Sequence, residues 1–247
     1  MAEKDYFSGH AQHYAKFRPT YPDELYRFIF GHLKSFDAAW DCATGNGQVA
    51  RVLSTQFDKV YATDISQQQL DQAEANANIL YSLQSAEKTT LPDNSVDLIT
   101  VAQALHWINT TGFYKEVKRI AKADAWLAVW GYANCSINPV IDHHFLKFYN
   151  QTVGAYWDEA RKLVEDEYRS LPFPFEEIIT PKFFIRVEWT AEQFAGYLTS
   201  WSATQKFIKE NGFNPVSEIM HEIAPHWGIN KPVTFPLFLR MGKIHAL

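Results

Sequence analysis

The chain has 247 residues, a length that fits one large α/β domain or two small ones. Its 23 Lys and Arg against 28 Asp and Glu give a net charge of −5, and this balance argues against nucleic-acid binding as a main role because it offers a phosphate backbone no basic stripe. Hydrophobic residues make up 47% and aromatic residues 15% of the chain, which predicts a folded protein and suits an aromatic-lined pocket.

The first half of the chain predicts a parallel sheet. Residues 1–36 read as helical pieces interrupted at Pro19 and Pro22, since proline stops a helix. From residue 38 onward, apolar runs alternate with helical patterns, and this alternation predicts parallel βαβ units in an open α/β sheet. Predicted strands cover 38–42, 59–63, 79–85, 95–102 and 125–132, with helices after Gln48, after a capping-box pattern at Ser66–Gln69, and around Phe113–Ala121.

The second half is less regular. Its pattern predicts an aromatic helical segment over 139–170, a strand over 183–189 and helices near 191–200, 203–211 and 215–226. A terminal strand candidate covers 233–244, and Pro236 inside it favours an edge position or a bulge. We expect one domain over 1–247, in which 1–36 form a helical lid, 38–132 the ligand-binding core, 137–180 a helical insertion and 181–247 the part that completes the sheet.

Three candidate ligand sites stand at predicted carboxyl ends of strands, where open parallel sheets bind ligands. The first is the segment Trp40–Gln48 with its turn Ala43-Thr-Gly45-Asn46-Gly47, whose glycines let a ligand approach the backbone at a helix N-terminus. The second is Asp64, which can accept both hydroxyls of a ribose. The third is Ala86-Glu87, where an adenine edge would lie. This ordered set predicts an adenosine-type cofactor.

The glycine turn leaves two cofactor classes open. Gly45-Asn-Gly47-Gln-Val-Ala50 matches the dinucleotide pattern G-x-G-x-x-A, so an NAD(P)-binding oxidoreductase is an alternative. Asp41 counts against it because a carboxylate close to a pyrophosphate would repel it. A carboxylate at this strand end instead suits a cationic aminoacyl group.

The sequence resembles class I S-adenosylmethionine (SAM)-dependent methyltransferases of the methyltransferase type 11-like group. More closely, it is similar to the trans-aconitate and cantharidin methyltransferase-like subgroup. The resemblance covers nearly the whole chain and is carried by Phe7–Pro22, Asp41–Gln48, Ala62–Ser66, Ala86-Glu87, Gln103–Trp107 and Gly196–Trp201. The chain departs from the broader pattern at Ala43, where glycine is usual, and we expect slight crowding near the cofactor there.

The resemblance implies a Rossmann-like fold with a mostly parallel, seven-stranded sheet and an antiparallel last strand. It implies SAM as cofactor and S-adenosylhomocysteine as product. Asp41 would hold the amino end of the cofactor, Asp64 its ribose, and Ile65 would pack on the adenine. The implied cofactor-binding residues are Tyr14, Arg18, Asp41, Ala43, Gly45, Asn46, Gly47, Asp64, Ile65, Ala86, Glu87, Gln103 and Ala104.

Two side chains are candidates for direct roles in methyl transfer, an in-line displacement that depends on alignment in a dry pocket. A carboxylate acceptor needs no general base, whereas a neutral hydroxyl or amine does. His106 is the best-placed base, with a structural, hydrogen-bonded histidine as the alternative. Arg18 is a candidate partner for a carboxylate of cofactor or substrate.

The substrate pocket is predicted to include Trp107, Tyr156 and Trp157, although each could instead pack against the core or a helix. No metal site is predicted, because Asp142-His143-His144 lacks further ligands at a readable spacing. Two cysteines are too few for a disulfide scaffold.

The sequence also predicts where the protein acts and on what. The N-terminus is acidic where a signal peptide would be apolar, and no apolar stretch reaches the roughly 20 residues of a membrane helix. We therefore expect a cytoplasmic protein without a membrane or nucleic-acid partner, its oligomeric state open. The leading hypothesis is a methyltransferase acting on a small molecule, with a carboxylate oxygen as candidate acceptor. Besides the oxidoreductase, a non-enzymatic SAM-binding module is the alternative.

Overall fold

The structure is a computed structural model that describes residues 18–245. Its eight strands form one sheet in the order β3-β2-β1-β4-β5-β8, and both β6 and β7 pair with the outer side of β8. The strands are β1 (Ala38–Cys42), β2 (Lys59–Asp64), β3 (Ile79–Leu83), β4 (Val96–Ala102), β5 (Ala121–Tyr132), β6 (Glu176–Glu177), β7 (Phe183–Trp189) and β8 (Lys231–Lys243).

Helices cover both faces of this sheet. They are α1 (Asp23–Phe30), α2 (Gln48–Leu53), α3 (Gln67–Leu70), α4 (Thr110–Ile120), α5 (Pro139–Lys147), α6 (Arg161–Glu165), α7 (Ala191–Thr199), α8 (Ser202–Asn211) and α9 (Val216–Ile223). Short 3₁₀ turns lie at Leu105–Trp107, Gly154–Tyr156 and Ala224–His226, and a π-helical turn extends α5 over Phe148–Thr152. No helix in the described part of the chain is long and apolar enough to cross a membrane.

The predicted Rossmann-like fold is confirmed. Strands β1 to β5 are parallel, and β8 runs antiparallel to β5. The central strands are buried on both faces: Ala39 and Leu98 pack into one apolar cluster, and Trp40 and Ile99 into another. The sheet has eight strands and not seven because the two-residue β6 pairs with the end of β8.

The position of β8 corrects the expectation drawn from Pro236. The strand lies between β5 and β7 and not at an edge of the sheet. Pairing with β5 ends at Leu237, so Pro236 has a strand neighbour only on the β7 side. Thr234 donates its N–H to Ser136, away from β7. Because N–H directions alternate along a strand, Pro236 also turns its nitrogen away from β7, and no ladder bond to β7 is lost.

The N-terminal part that the structure describes agrees with the predicted break at the prolines. Helix α1 begins at Asp23, directly after Pro22 in an extended conformation. Its buried Tyr26 packs edge-on against Trp130 of β5, with ring centres 6.3 Å apart. The remainder of the predicted lid, with Tyr14, lies outside the described residues.

The insertion and the late helices meet in a cluster of aromatic rings. Trp157 lies 5.0 Å from Tyr149 and 5.3 Å from Trp201 between ring centres. Tyr197 on α7 lies 5.4 Å from Trp201. Tyr197 and Trp201 are buried, so this cluster joins 148–157 to the α7–α8 region beside the carboxyl ends of β4 and β5.

Candidate functional site

The glycine loop between β1 and α2 takes a left-handed backbone at several positions. Gly45 has φ +58° and Gly47 has φ +80°, values that side chains disfavour and glycine accepts. A Cβ on Gly47 would lie 2.3 Å from the Tyr81 hydroxyl oxygen, closer than any Cβ is tolerated. The loop therefore needs glycine at position 47 both for its conformation and for its packing on β3.

Ala43 shares the left-handed conformation, with φ +55°. A left-handed backbone costs a residue with a Cβ about 1–2 kcal/mol. Ala43, where glycine is usual in the sequences this chain resembles, therefore strains the backbone of the loop. This strain adds to any crowding near a cofactor.

Asp64 ties the second candidate site to the first. One carboxylate oxygen accepts the N–H of Gly45 at 2.8 Å, and the other accepts the N–H of Ser66 at 2.9 Å. These bonds hold the carboxylate at the end of β2 against the glycine loop, while each oxygen keeps lone-pair capacity for a hydroxyl donor. The next side chain, Ile65, is 42% exposed.

Gln69 on α3 was predicted only as a partner in the capping box with Ser66. Ser66 Oγ accepts the backbone N–H of Gln69 at 3.3 Å, so half of the capping box is present. The Gln69 side chain is 4% exposed, and its Oε1 has no hydrogen-bond partner within residues 18–245. This oxygen lies 3.8 Å from where a Cβ of Gly45 would be, so an unsatisfied buried acceptor adjoins the loop.

Asp41 lies beneath the loop. It is 1% exposed, and its two oxygens accept hydrogen bonds from the hydroxyls of Thr100, at 2.8 Å, and Thr44. Burial raises the pKa of Asp41 to about 6, against the opposing effect of these hydroxyls. The carboxylate thus joins β1, β4 and the loop, and its assignment to the amino end of a cofactor stays a prediction.

The third candidate, Ala86-Glu87, follows β3 and faces α4. Glu87 accepts the N–H of Asn109 at 2.9 Å, and a Cβ on Gly112 would lie 2.8 Å from Glu87 Cγ. Glu87 is therefore anchored at the start of α4. Ala86 is buried. Their place beside an adenine stays a prediction.

Gln103 links the ends of β4 and β5, and the next residue, Ala104, is buried. Gln103 has φ +55°; its N–H donates to the Trp130 carbonyl, and its side-chain oxygen accepts the N–H of Tyr132, both at 2.8 Å. The Tyr132 hydroxyl in turn accepts a hydrogen bond from Arg18 at 2.7 Å. The guanidinium carbon of Arg18 also lies 5.7 Å from the centre of the Tyr197 ring.

His106 lies in the 3₁₀ turn after β4. Its Nδ1 is 2.8 Å from the hydroxyl of Tyr168, a residue 62 positions away that the sequence did not bring forward. Burial, together with the positive charge of Arg161, lowers the pKa of His106 to about 3. A base of this pKa is poorly matched to proton abstraction at neutral pH.

A pocket opens beside these residues, and we call it the arginine pocket. Its aromatic lining consists of Trp107, Trp157, Tyr197 and Trp201. Its charged lining consists of Arg18, Arg161 and Asp158, and Gln103, His106 and Ser202 add polar groups. The structure therefore brings five residues of the predicted site together: Arg18, Gln103, His106, Trp107 and Trp157.

Tyr156 does not join them. Its hydroxyl accepts a hydrogen bond from Asn211 at 2.9 Å, and its ring packs on Phe207 of α8 with centres 5.2 Å apart. It lines a neighbouring open depression with Lys206 and Lys209. Tyr156 thus packs against a helix, which was the alternative to its predicted place in the substrate pocket.

Arg161 is a pocket residue that the sequence analysis did not predict, as are Asp158 and Ser202. Its Nε donates to the Tyr149 hydroxyl at 3.0 Å and its Nη2 to the Asn134 side-chain oxygen at 2.9 Å. The guanidinium lies over Trp157, 5.1 Å from the ring centre. Both hydrogen bonds go to neutral oxygens, so neither neutralises its charge. The available signal was its spacing, four residues after Trp157 in the aromatic insertion.

The histidine pair of the insertion has another role. His144 Nδ1 lies 2.8 Å from a carboxylate oxygen of Glu222 on α9. Within residues 18–245, no three or more His, Cys, Asp or Glu side chains are grouped so that they could hold a metal ion.

The sheet order and the loop–carboxylate pair at the strand ends define a Rossmann-like protein built for a nucleotide-type cofactor. Residues 40–129 match the methyltransferase domain family. A Dictyostelium discoideum protein named as a methyltransferase is 36% identical over 97% of this chain and 95% of its own. A Saccharomyces cerevisiae protein named as an SAM-dependent methyltransferase is 23% identical over 82% of each chain.

A solved structure agrees with these relatives. A type II methyltransferase from Anaeromyxobacter dehalogenans superposes with a TM-score of 0.86 and 34% identity, over 94% of this chain and all of its own. The chain belongs to the SAM-dependent methyltransferase family. It is an enzyme of this class with SAM as cofactor, and the oxidoreductase alternative is not favoured.

Proposed function

We propose that this methyltransferase transfers the methyl group to a carboxylate oxygen of a small molecule bound in the arginine pocket. The observation that carries the proposal is the charge of the lining: two guanidinium groups, Arg18 and Arg161, stand against one carboxylate, Asp158. Guanidinium groups bind carboxylates through paired, charge-assisted hydrogen bonds. The aromatic walls suit an apolar body attached to the acid.

The chemistry of the pocket supports an acceptor that arrives ionised. When bound, SAM supplies a methyl group on a positively charged sulfur. The carboxylate oxygen forms the new bond to carbon, the carbon–sulfur bond breaks with its electron pair on sulfur, and no proton has to leave. A carboxylic acid with a pKa of about 4 is ionised at neutral pH. His106, with its pKa of about 3, would be an inefficient base for a neutral acceptor.

We further propose that the cofactor lies along the strand ends. Asp64 would accept the ribose hydroxyls, Ile65 would cover the adenine, and the loop with Gly45 and Gly47 would adjoin the cofactor. The unsatisfied Oε1 of Gln69 beside Gly45 supports this fit, because a buried acceptor needs a hydrogen-bond donor.

The remaining finer assignments are also proposals. The similarity to trans-aconitate and cantharidin methyltransferase-like proteins fits an acid-binding pocket. The division into a lid over 1–36, a core over 38–132, an insertion over 137–180 and a C-terminal part fits the element order. A cytoplasmic location stays a prediction.

The test is methyl transfer from radiolabelled SAM to matched acceptors: benzoic acid, benzyl alcohol and benzylamine, then wider panels of the same three classes. We expect label only in acids, in a base-labile ester. Arg161→Gln should lower kcat/KM for the acid about 10- to 100-fold, as expected for a lost hydrogen bond to a charged group.

The matched control is Arg169→Gln, which removes an exposed arginine paired with Glu167 outside the pocket and should leave turnover unchanged. Calorimetric titration with S-adenosylhomocysteine should give the same affinity for both variants. Label in alcohols or amines but not in acids would contradict the proposal.

A further inference from the structure

Tyr168 holds His106 from beneath the arginine pocket. Tyr168 is 0% exposed. Its carbonyl accepts a hydrogen bond from Arg240 at 2.6 Å, and its ring packs edge-on against Phe238, with centres 5.2 Å apart. These contacts fix the hydroxyl, whose oxygen lies 2.8 Å from Nδ1 of His106.

The proton between these two groups can be located by counting donors. The hydroxyl has one proton, and the described residues offer it one acceptor, Nδ1 of His106. A buried hydroxyl proton without an acceptor is costly, so Tyr168 donates and Nδ1 carries no proton.

The charge state of both groups agrees with this count. Burial raises the pKa of Tyr168 well above its usual range, so the hydroxyl keeps its proton. Burial and Arg161 hold the pKa of His106 low, and Asp158 opposes them only partly. A neutral imidazole with a bare Nδ1 carries its proton on Nε2.

The Nε2 edge is the free edge of the ring. Nε2 makes no hydrogen bond within residues 18–245. It is also not among the buried polar atoms that lack a partner, so Nε2 is accessible from outside the protein. His106 lines the arginine pocket together with Arg161 and Trp107. The imidazole therefore offers the pocket an N–H, at the end of β4 and opposite its bond to Tyr168.

We propose that His106 is a fixed hydrogen-bond donor, which directs Nε2–H at an anionic oxygen of the acceptor, and that Tyr168 is the positioning residue that holds this tautomer. The sequence-based role of His106 as a base is thereby replaced. The inference rests on the proposed acid acceptor for the identity of the oxygen, whereas the tautomer depends only on the protein.

The first experiment reads the tautomer directly. The full chain, ¹⁵N-labelled at histidine and saturated with S-adenosylhomocysteine, is studied by long-range ¹H–¹⁵N correlation NMR, with His106→Gln to assign the signals. We expect a protonated Nε2 and a bare Nδ1, unchanged from pH 5.5 to 8. A protonated Nδ1, or titration of His106 in this range, would overturn the inference whatever the acceptor is.

Tyr168→Phe provides the matched test of the positioning role, because it removes only the hydroxyl. We expect mixed tautomers, a His106 that titrates closer to neutrality, and a kcat/KM that becomes pH-dependent in that range. A purely structural tyrosine would lower thermal stability without moving the tautomer or the pH profile, and that result would refute the positioning role.

The second experiment tests donation to the acceptor. With the acid that accepts label most readily, His106→Phe, which keeps a ring and loses the donor, should lower kcat/KM about 10- to 100-fold. His106→Gln, which keeps an N–H, should retain more activity than His106→Phe. Equal activity of His106→Phe and wild type would exclude donation. If no acid accepts label, the proposed function fails, and the NMR result still decides the tautomer.

Discussion

At the scale of single residues, Asp64 has a structural role in the glycine loop beside its proposed role at the ribose. It accepts the N–H groups of Gly45 and Ser66, which aligns it beside the glycine loop. Two ribose hydroxyls would add charge-assisted hydrogen bonds to oxygens that are already oriented. The same side chain therefore orders the loop before the cofactor arrives.

We predict that Asp64→Ala weakens S-adenosylhomocysteine binding by roughly 1–3 kcal/mol, the range for hydrogen bonds to a charged group. Isothermal titration calorimetry measures it. The control is Asp71→Ala, which should leave the affinity unchanged. Asp71 is exposed, lies just after α3 and accepts a hydrogen bond from the side chain of Gln67. An unchanged affinity in Asp64→Ala would remove this residue from the ribose site.

Ala43 makes a second prediction at this scale, because its Cβ sits on a left-handed backbone with φ +55°. Ala43→Gly relieves the strain and adds freedom to the unfolded chain, so we expect a net stabilisation of up to about 1 kcal/mol. Ala50→Gly inside α2 should instead destabilise by about 0.5–1 kcal/mol or more. Urea unfolding of both variants tests this. A loss of stability in Ala43→Gly would mean that the alanine methyl group packs favourably.

At the scale of elements, most strands could be predicted from the sequence because their signals are local. The strand over 183–189 has the same bounds in β7, where apolar and polar residues alternate. The position of β8 could not be predicted, because whether Pro236 loses a ladder bond depends on where β5 ends, and Tyr132 is far from it in sequence.

Some contacts of the candidate site could also be predicted from the sequence, and others could not. The glycine loop follows β1, and Asp64 ends the neighbouring parallel strand β2. Parallel topology therefore accounts for the 2.8 Å between the Gly45 nitrogen and the Asp64 carboxylate. Tyr168 reaches His106 across 62 positions, and Arg18 reaches Tyr132 across 114. Such contacts leave no periodic trace, so the sequence identified His106 without the partner that sets its protonation.

Asp41 connects elements, and its pKa makes the connection sensitive to pH. Burial raises the pKa from 3.8 to about 6, so between about pH 4 and 6 the folded state keeps a proton on Asp41 that the unfolded chain has released. This proton stabilises the folded state fully below about pH 4, and its contribution is lost as pH rises from 4 to 6. A shift of two units corresponds to about 3 kcal/mol.

We therefore predict that Asp41→Asn removes this dependence. The free energy of unfolding of wild type, measured by urea titration, should fall relative to Asp41→Asn between pH 4 and 6 and run parallel to it above pH 7. Asp71→Asn should follow wild type throughout. If the difference in unfolding free energy between wild type and Asp41→Asn stayed constant from pH 4 to 6, Asp41 would be ionised in the folded protein over the whole range.

At the scale of the whole molecule, β8 joins the two halves of the chain. On one side it pairs through residues 237–243 with β5, the last strand of the core predicted over 38–132. On the other side it pairs through residues 231–237 with β7. Its Phe235 is fully buried and packs edge-on against Tyr197 and Trp189. The aromatic cluster above the arginine pocket thus shares one strand with the core, and we expect the two halves to unfold together.

Ligand binding should then stabilise both halves. S-adenosylhomocysteine at 100 times its Kd adds about 2.7 kcal/mol to the folded state, which for a chain of this size corresponds to a rise in Tm of about 5–10 °C. Differential scanning calorimetry should show one transition that moves as a unit, and hydrogen exchange should slow in β7 as well as in β1. NADH at the same concentration should leave Tm unchanged. A second unfolding transition, assigned to residues 183–245 by hydrogen exchange and with a Tm unchanged by S-adenosylhomocysteine, would show that β8 does not couple the pocket to the cofactor site.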